Sequence, residues 1–332
     1  MKIENALLEN AVQYAIKNTT YYSQYAGKPF DEIPILTKQE YQKNSYPLSN
    51  VMQVSSIDHC FVFSTSGTTF QPQFIIRDLE DINYQINDYC GLHINKNDIV
   101  LNLFWGGIWG VYTTANMTLS KTGATIIPFG GNNIKDMEIV YEIIMEFNVN
   151  VLFGVPSTII DVAHFFERKN ESSPIRKIFC IGEKMDDQSY SFIRAVFPQC
   201  NIKTKYGCME SAGIGYQCEH LNRNQYHIFE NRYVEILTDD YSRHAGLGER
   251  GRIIVTTLNK RKVPLLRFDT GDIGYFEKKK CHCGKDTILT IIGREDNEFI
   301  IASVHMEKLK LDALIKKKCV RIYYPSGYFA ER

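Results

Sequence analysis

The sequence predicts a mixed α/β protein, a parallel sheet covered by helices and followed by a smaller β-rich lobe. Three observations carry that expectation. From about residue 58 to 230, short β-branched or aromatic runs alternate with stretches of helical period. After about Glu230 the helical pattern stops, and strand-like runs follow one another across Gly-bearing turns. The chain has 332 residues, 44% hydrophobic and 23% charged, which is globular composition at a length beyond what one core usually fills.

Residues 1–57 read as a polar helical layer, with turn signals at Gly27-Lys28-Pro29 and Ile33-Pro34. The α/β core, residues 58–230, places strands at 99–104, 124–127, 151–153, 178–181 and 202–205. Its clearest helix is 134–147, where Met137, Val140, Ile144 and Phe147 recur on one face. The β-rich lobe, residues 231–296, places strands at 233–237, 252–258, 263–268 and 288–292, and residues 297–332 read as a short strand, a helix over 308–318 and a tail.

Composition excludes several functions. Lys+Arg and Asp+Glu both number 38, so no net field draws the chain to nucleic acid or an anionic membrane. The most apolar window, 99–112, is broken by Gly106, Gly107 and Gly110 and is too short to span a bilayer. The start, Met1-Lys2-Ile3-Glu4-Asn5, does not read as a signal peptide. Nine cysteines without regular spacing do not form a secreted disulfide framework, and a reducing compartment, the cytoplasm, fits them.

Three segments carry chemistry. Phe61-Val62-Phe63-Ser64-Thr65-Ser66-Gly67-Thr68-Thr69 is an apolar strand entering a hydroxyl-rich loop, whose backbone N–H groups and hydroxyls suit a phosphate. No Gly-Lys-Ser/Thr follows, so it is not a Walker loop, and an ordinary Ser/Thr-rich hairpin turn reads the same way. Cys218, His227 and the pair Cys281-x-Cys283 offer thiolates and an imidazole to tetrahedral Zn²⁺. His220 and His282 compete as ligands, and buried free thiols beside an exposed His are the plainer alternative. Trp105-Gly106-Gly107-Ile108-Trp109 holds both tryptophans of the chain, as an aromatic pocket wall or as plain core.

In order, Ser64-Thr65-Ser66-Gly67-Thr68-Thr69, Tyr206-Gly207-Cys208-Met209-Glu210, Arg267-Phe268-Asp269-Thr270-Gly271-Asp272 and Gly293-Arg294-Glu295-Asp296 resemble the core motifs of the adenylate-forming (acyl-CoA synthetase) superfamily. Within it the likeness is to the phenylacetate–CoA ligase type, and it extends to Gly154-Val155-Pro156-Ser157, Ile181-Gly182-Glu183, His227-Ile228-Phe229-Glu230 and Cys281-His282-Cys283-Gly284. The resemblance implies ATP-dependent adenylation of a small carboxylate, aryl or amino acid, with transfer to coenzyme A or a carrier thiol. By the same likeness, Ser64, Thr65, Ser66, Gly67, Thr68 and Thr69 hold phosphates, Glu210 ligates Mg²⁺, Asp272 takes the ribose hydroxyls and Arg294 steadies the nucleotide. Gly182 and Glu183 match the adenine side, and Tyr206 and Gly207 complete the Glu210 motif. Trp105, Gly106, Gly107 and Trp109 fall at the acyl pocket, and Cys218, His227, Cys281 and Cys283 match a structural zinc site. On the residues alone Asp272 also reads as a turn residue and Glu210 as a helix N-terminal acid.

Two departures stand out. The phosphate loop continues Phe70-Gln71-Pro72-Gln73 where the family usually reads Gly-x-Pro-Lys, and Met209 replaces a hydroxyl residue. A lost charge-assisted phosphate contact costs about 1.5–3 kcal/mol. Thirty-six residues follow Asp296, the family's hinge position, and none of their lysines matches the lid motif. The expectation is therefore a vestigial or truncated lid, a lid supplied by a separate protein, or a weak or inactive nucleotide- or acyl-adenylate-binding protein. A homodimer is a further expectation.

Overall fold

The computed structural model describes residues 2–65, 73–84, 94–130, 137–183, 185–294, 298–301 and 304–307. The chain opens with α1 (Lys2–Asn18), α2 (Thr20–Ser23) and α3 (Lys38–Asn44), then strands β1 (Cys60–Ser64) and β2 (Phe74–Asp78) and helix α4 (Leu79–Asn83). Strands and helices then alternate: β3 (Ile99–Asn102), α5 (Gly110–Leu119), β4 (Thr125–Ile127), α6 (Met137–Glu146), β5 (Val151–Gly154), α7 (Pro156–Lys169), β6 (Lys177–Cys180), α8 (Asp187–Val196) and β7 (Asn201–Cys208). Strands follow: β8 (Ala212–Tyr216), β9 (Gln225–Ile228), β10 (Arg232–Leu237), β11 (Gly251–Thr257), β12 (Phe268–Lys278), β13 (Thr287–Arg294), β14 (Glu298–Ile301) and β15 (Val304–Glu307). Among the described residues no helix is long and apolar enough to cross a membrane.

Two compact units result. One gathers the described residues of 1–65, 71–88 and 206–295, the other those of 89–205 and 296–332. The division differs from the sequence expectation, which cut the chain after residues 57 and 230. The reason is pairing: β8 joins β9 through Gly215↔Ile228, and β9 joins β13 through Leu289↔Tyr226, tying residues 206–230 to the later strands. The helical layer packs into the same core, where Tyr22, Leu36 and Tyr41 cluster with Leu266 and Phe268.

In the second unit the strand order is β7-β6-β5-β3-β4, all parallel. Parallel strands are buried on both faces, so successive side chains serve opposite cores. Val100, Val151, Phe153 and Phe179 pack on one side with Ala115 and Leu119 of α5. Leu101, Leu152, Ile178 and Cys180 pack on the other with Val140 and Ile144 of α6, Phe166 of α7 and Ile193 of α8. The expected helix 134–147 is seen as Met137–Glu146; Val140 and Ile144 are buried, but Phe147 lies past the helix end and is exposed.

The first unit carries an antiparallel array in the order β10-β11-β12-β13-β9-β8 and the separate hairpin β1-β2. The strand expected at 263–268 is absent. Residues 258–266 instead fold back on β11, with Thr257 N–H donating to Leu265 O at 2.9 Å and Leu265 N–H to Thr257 Oγ1 at 3.1 Å. Arg267 then takes a left-handed φ of 51°, which ends the loop and starts β12 one residue later.

Candidate functional site

The segment Arg267-Phe268-Asp269-Thr270-Gly271-Asp272 builds the presentation of one carboxylate. Arg267 is fixed by Glu235 (2.9 and 3.2 Å) and by the carbonyls of Asp31 and Ile33. Phe268 is fully buried. Asp269 accepts from Arg252 (2.6 Å), from Tyr241 Oη (2.7 Å) and from the Gly271 N–H (2.8 Å). Thr270 Oγ1 donates to Ile253 O at 2.9 Å and accepts from the Asp272 N–H at 3.1 Å. Gly271 takes a φ of 77°, which a side chain rarely adopts. Asp272 therefore sits within β12 rather than in a turn, with Tyr206 Oη donating to its Oδ2 at 2.9 Å and Arg294 opposite it in the β12-β13 ladder. Burial pushes the Asp272 carboxyl above the usual carboxylate range, opposed by Arg294, Tyr206 and Lys38.

Glu210 lies in the tight turn between β7 and β8, not at a helix start, and is 6% exposed. Its carboxylate raises the neighbouring Tyr41 and Cys208 groups further above the levels that burial alone sets. The turn is held by Arg77 of β2, whose guanidinium donates to Met209 O, a contact that no spacing in the sequence announces. Burial lowers the Arg77 pKa to about 10. Ala212 closes the turn at φ 66°, and a Cβ on Gly207 would fall 2.3 Å from Ala212 O. Backbone cannot yield to that extent, so Gly207→Ala is expected to cost about 2–3 kcal/mol, read as a lower urea midpoint at unchanged slope.

The hydroxyl-rich loop is the tip of the β1-β2 hairpin. Ser64 pairs with Phe74, and the Thr65 N–H donates to Gln73 O at 2.9 Å. Ser64 is buried and its hydroxyl donates to Thr65 O, so it shapes the loop base. Ser66, Gly67, Thr68 and Thr69 lie outside the described residues. Gln73 Nε2, where the resemblance would place a lysine, is buried without a hydrogen-bond partner among the described residues.

In the second unit Glu183 is engaged locally. Its carboxylate accepts from the Ser157 N–H (3.0 Å) and Ser157 Oγ (3.1 Å), capping the start of α7. Gly182 supplies the required φ of 91°. Trp105 and Trp109 meet edge to face with ring centroids 6.1 Å apart, both half-buried. Gly106 faces the Tyr112 ring, and Gly107, exposed at φ 85°, turns the chain between them.

The four expected metal ligands converge. Cys218 Sγ lies 3.6 Å from His227 Nε2 and 3.5 Å from Cys281 Sγ, and Cys283 Sγ lies 3.1 Å from His227 Nε2. All four donor atoms fall within 4.8 Å of one another. Bond lengths of about 2.3 Å to sulfur and 2.0–2.1 Å to nitrogen put tetrahedral zinc ligands roughly 3.5–3.8 Å apart, so the set fits zinc. His227 is fully buried, contrary to the exposed alternative, and Nδ1–H directed at Thr287 O (3.1 Å) turns the Nε2 lone pair to the thiols. Burial also lowers its pKa and so favours the neutral ring. His220 and His282 stand outside this set, their rings 5.2 Å apart.

The sequence profile of the AMP-binding enzyme family matches residues 4–259. A phenylacetate–coenzyme A ligase of Thermus thermophilus is 23% identical, over 94% of this chain and 74% of that one. An indoleacetate–lysine synthetase of Pseudomonas savastanoi is 26% identical, over 62% of this chain and 49% of its own. Among solved structures, a 2-hydroxyisobutyryl-CoA ligase in complex with 2-HIB-AMP and CoA superposes with a TM-score of 0.82 at 18% identity, covering 96% of this chain and 73% of that one. At that identity the likeness bears on the fold.

Proposed function

The chain belongs to the AMP-binding enzyme family, and from that we propose that it activates a small carboxylic acid with ATP and passes the acyl group to the thiol of coenzyme A. The observation that carries this reading is the half-buried Asp272 carboxylate, oriented by Tyr206 and faced by Arg294. An anionic acceptor pair of this kind suits two vicinal ribose hydroxyls. The substrate carboxylate attacks the α-phosphorus, the bond to the bridging oxygen breaks, and pyrophosphate leaves with that electron pair. The thiol sulfur then attacks the acyl carbon, AMP leaves, and the thiol proton passes to solvent.

In this reading Asp272 orients the ribose, Arg294 offsets negative charge beside it, and the β1-β2 hairpin loop holds phosphates with backbone N–H groups and hydroxyls. Glu210, an anionic oxygen held out of bulk water, would hold Mg²⁺, which when bound neutralises phosphate charge. Gly182 and Glu183 are assigned to the adenine side, Glu183 through the α7 start that it caps. Trp105 and Trp109 support an aryl or otherwise apolar acid. Cys218, His227, Cys281 and Cys283 would hold zinc, which supplies a structural tie between the β8-β9 and β12-β13 segments. The nine cysteines, odd in number and without regular spacing, fit a reducing compartment such as the cytoplasm.

Carboxylate-dependent exchange of labelled pyrophosphate into ATP, over a panel of aryl, short aliphatic and amino acids, tests the reading. Exchange with an apolar acid is the expected result. Tight ATP binding without exchange for any acid would instead support the weak or inactive nucleotide-binding protein that Gln73 and Met209 favour.

A further inference from the structure

A second cation reaches the Asp272 site from the opposite end of the chain. Leu36 runs beside β12 as a bridge partner of Phe268, its N–H donating to Arg267 O (2.9 Å) and its carbonyl accepting from the Asp269 N–H (3.0 Å). Thr37 then caps α3, its Oγ1 accepting from the Glu40 N–H at 3.1 Å, and the Tyr41 ring meets Phe268 edge-on at 5.8 Å. These contacts fix Lys38, the first residue of α3, over Gly271. A Cβ built on Gly271 would lie 3.1 Å from Lys38 Nζ and 3.4 Å from Arg294 Nη2, so both cations arrive at one glycine.

Charge counting then asks for an anion. Asp269 is committed to Arg252, while Arg294 and the half-buried Lys38 both act on the single carboxylate of Asp272, so among the described residues two cations flank one acid at this point. The hairpin loop offers Gln73 where a cation would neutralise phosphate, and the chain as a whole has no net charge. We propose that the Lys38 ammonium is a phosphate-holding group of the nucleotide site, taking the α-phosphate of the nucleotide whose ribose Asp272 holds. The inference rests on the nucleotide reading given above.

Calorimetric titration of the full chain with adenosine and with AMP tests it, in the wild type and in Lys38→Met and Lys38→Arg. Loss of one charge-assisted contact is expected to weaken AMP about tenfold to a hundredfold in Lys38→Met, with adenosine affinity unchanged and most AMP affinity restored in Lys38→Arg. In the wild type, the advantage of AMP over adenosine is expected to shrink as salt rises, a readout that needs no variant. Equal weakening of adenosine and AMP would assign Lys38 to positioning Asp272 and overturn the proposal, as would unchanged AMP affinity in Lys38→Met. A wild-type chain that binds neither compound would overturn the nucleotide reading and this proposal with it.

Discussion

Replacing Asp272 by asparagine is expected to lower carboxylate-dependent pyrophosphate exchange by about 10²- to 10⁴-fold while leaving the fold intact. Asparagine keeps the size of the side chain and an oxygen to accept the Tyr206 hydroxyl, so the 2.9 Å contact survives. What is lost is the negative charge that two ribose hydroxyls would address. Two charge-assisted bonds contribute about 1.5–3 kcal/mol each, and each 1.36 kcal/mol is tenfold. Stability should move the other way. Because the folded carboxyl is raised above its ordinary value, its favourable contribution is present at low pH and is lost as pH rises through the folded pKa. At neutral pH the partly desolvated charge is therefore a cost, and the variant is expected to melt no lower than the wild type. Nucleotide affinity in the wild type should fall as pH drops through that raised pKa, and this limb should be missing in Asp272→Asn. Exchange within threefold of wild type would remove Asp272 from the site.

Removing the metal is expected to produce the second large effect, on stability. Protein purified without chelator should contain about one zinc per chain, and His227→Ala or Cys281→Ser should contain almost none. The thermal midpoint should fall by about 10 °C, from about 3–4 kcal/mol at roughly 2–4 °C per kcal/mol. The effect is partial because β12 and β13 remain paired from Asp272↔Arg294 to Lys278↔Thr287. It is not negligible, because the Cys281 loop is closed by short turn bonds, Lys279 N–H to Asp286 O (2.9 Å), Cys281 N–H to Lys285 O (2.7 Å) and Gly284 N–H to Cys281 O (2.9 Å), with Gly284 at φ 92°. Three thiols and a buried imidazole left facing one another without an ion would lose much of that order. Zinc well below one per chain, together with midpoints unmoved by chelation, would remove the site.

Local periodicity determined much of the architecture. Alternation of short buried strands with amphipathic helices over the middle of the chain is a property of neighbouring residues and needs no tertiary knowledge, whereas its end at β7, before the expected residue 230, follows from the β8-β9 and β9-β13 pairings. The loss of a strand at 263–268 marks the limit: its residues are as apolar as a strand's, but bonds from Leu265 to Thr257 and the left-handed turn at Arg267 are made across the fold. The candidate site divides the same way. The residue types and their order, from the hydroxyl-rich loop to Arg294, were legible because each motif is contiguous and its chemistry is carried by side-chain type. So were the four candidate metal ligands, as donors, and the structure added that their atoms converge. Only the tertiary structure decided that Arg77 clamps the Glu210 turn from 132 residues away, and that Lys38 shares a glycine with Arg294. Those juxtapositions depend on strand register and on which segment is laid beside β12. Register is set by long-range pairing and core packing, for which the chain carries no local mark.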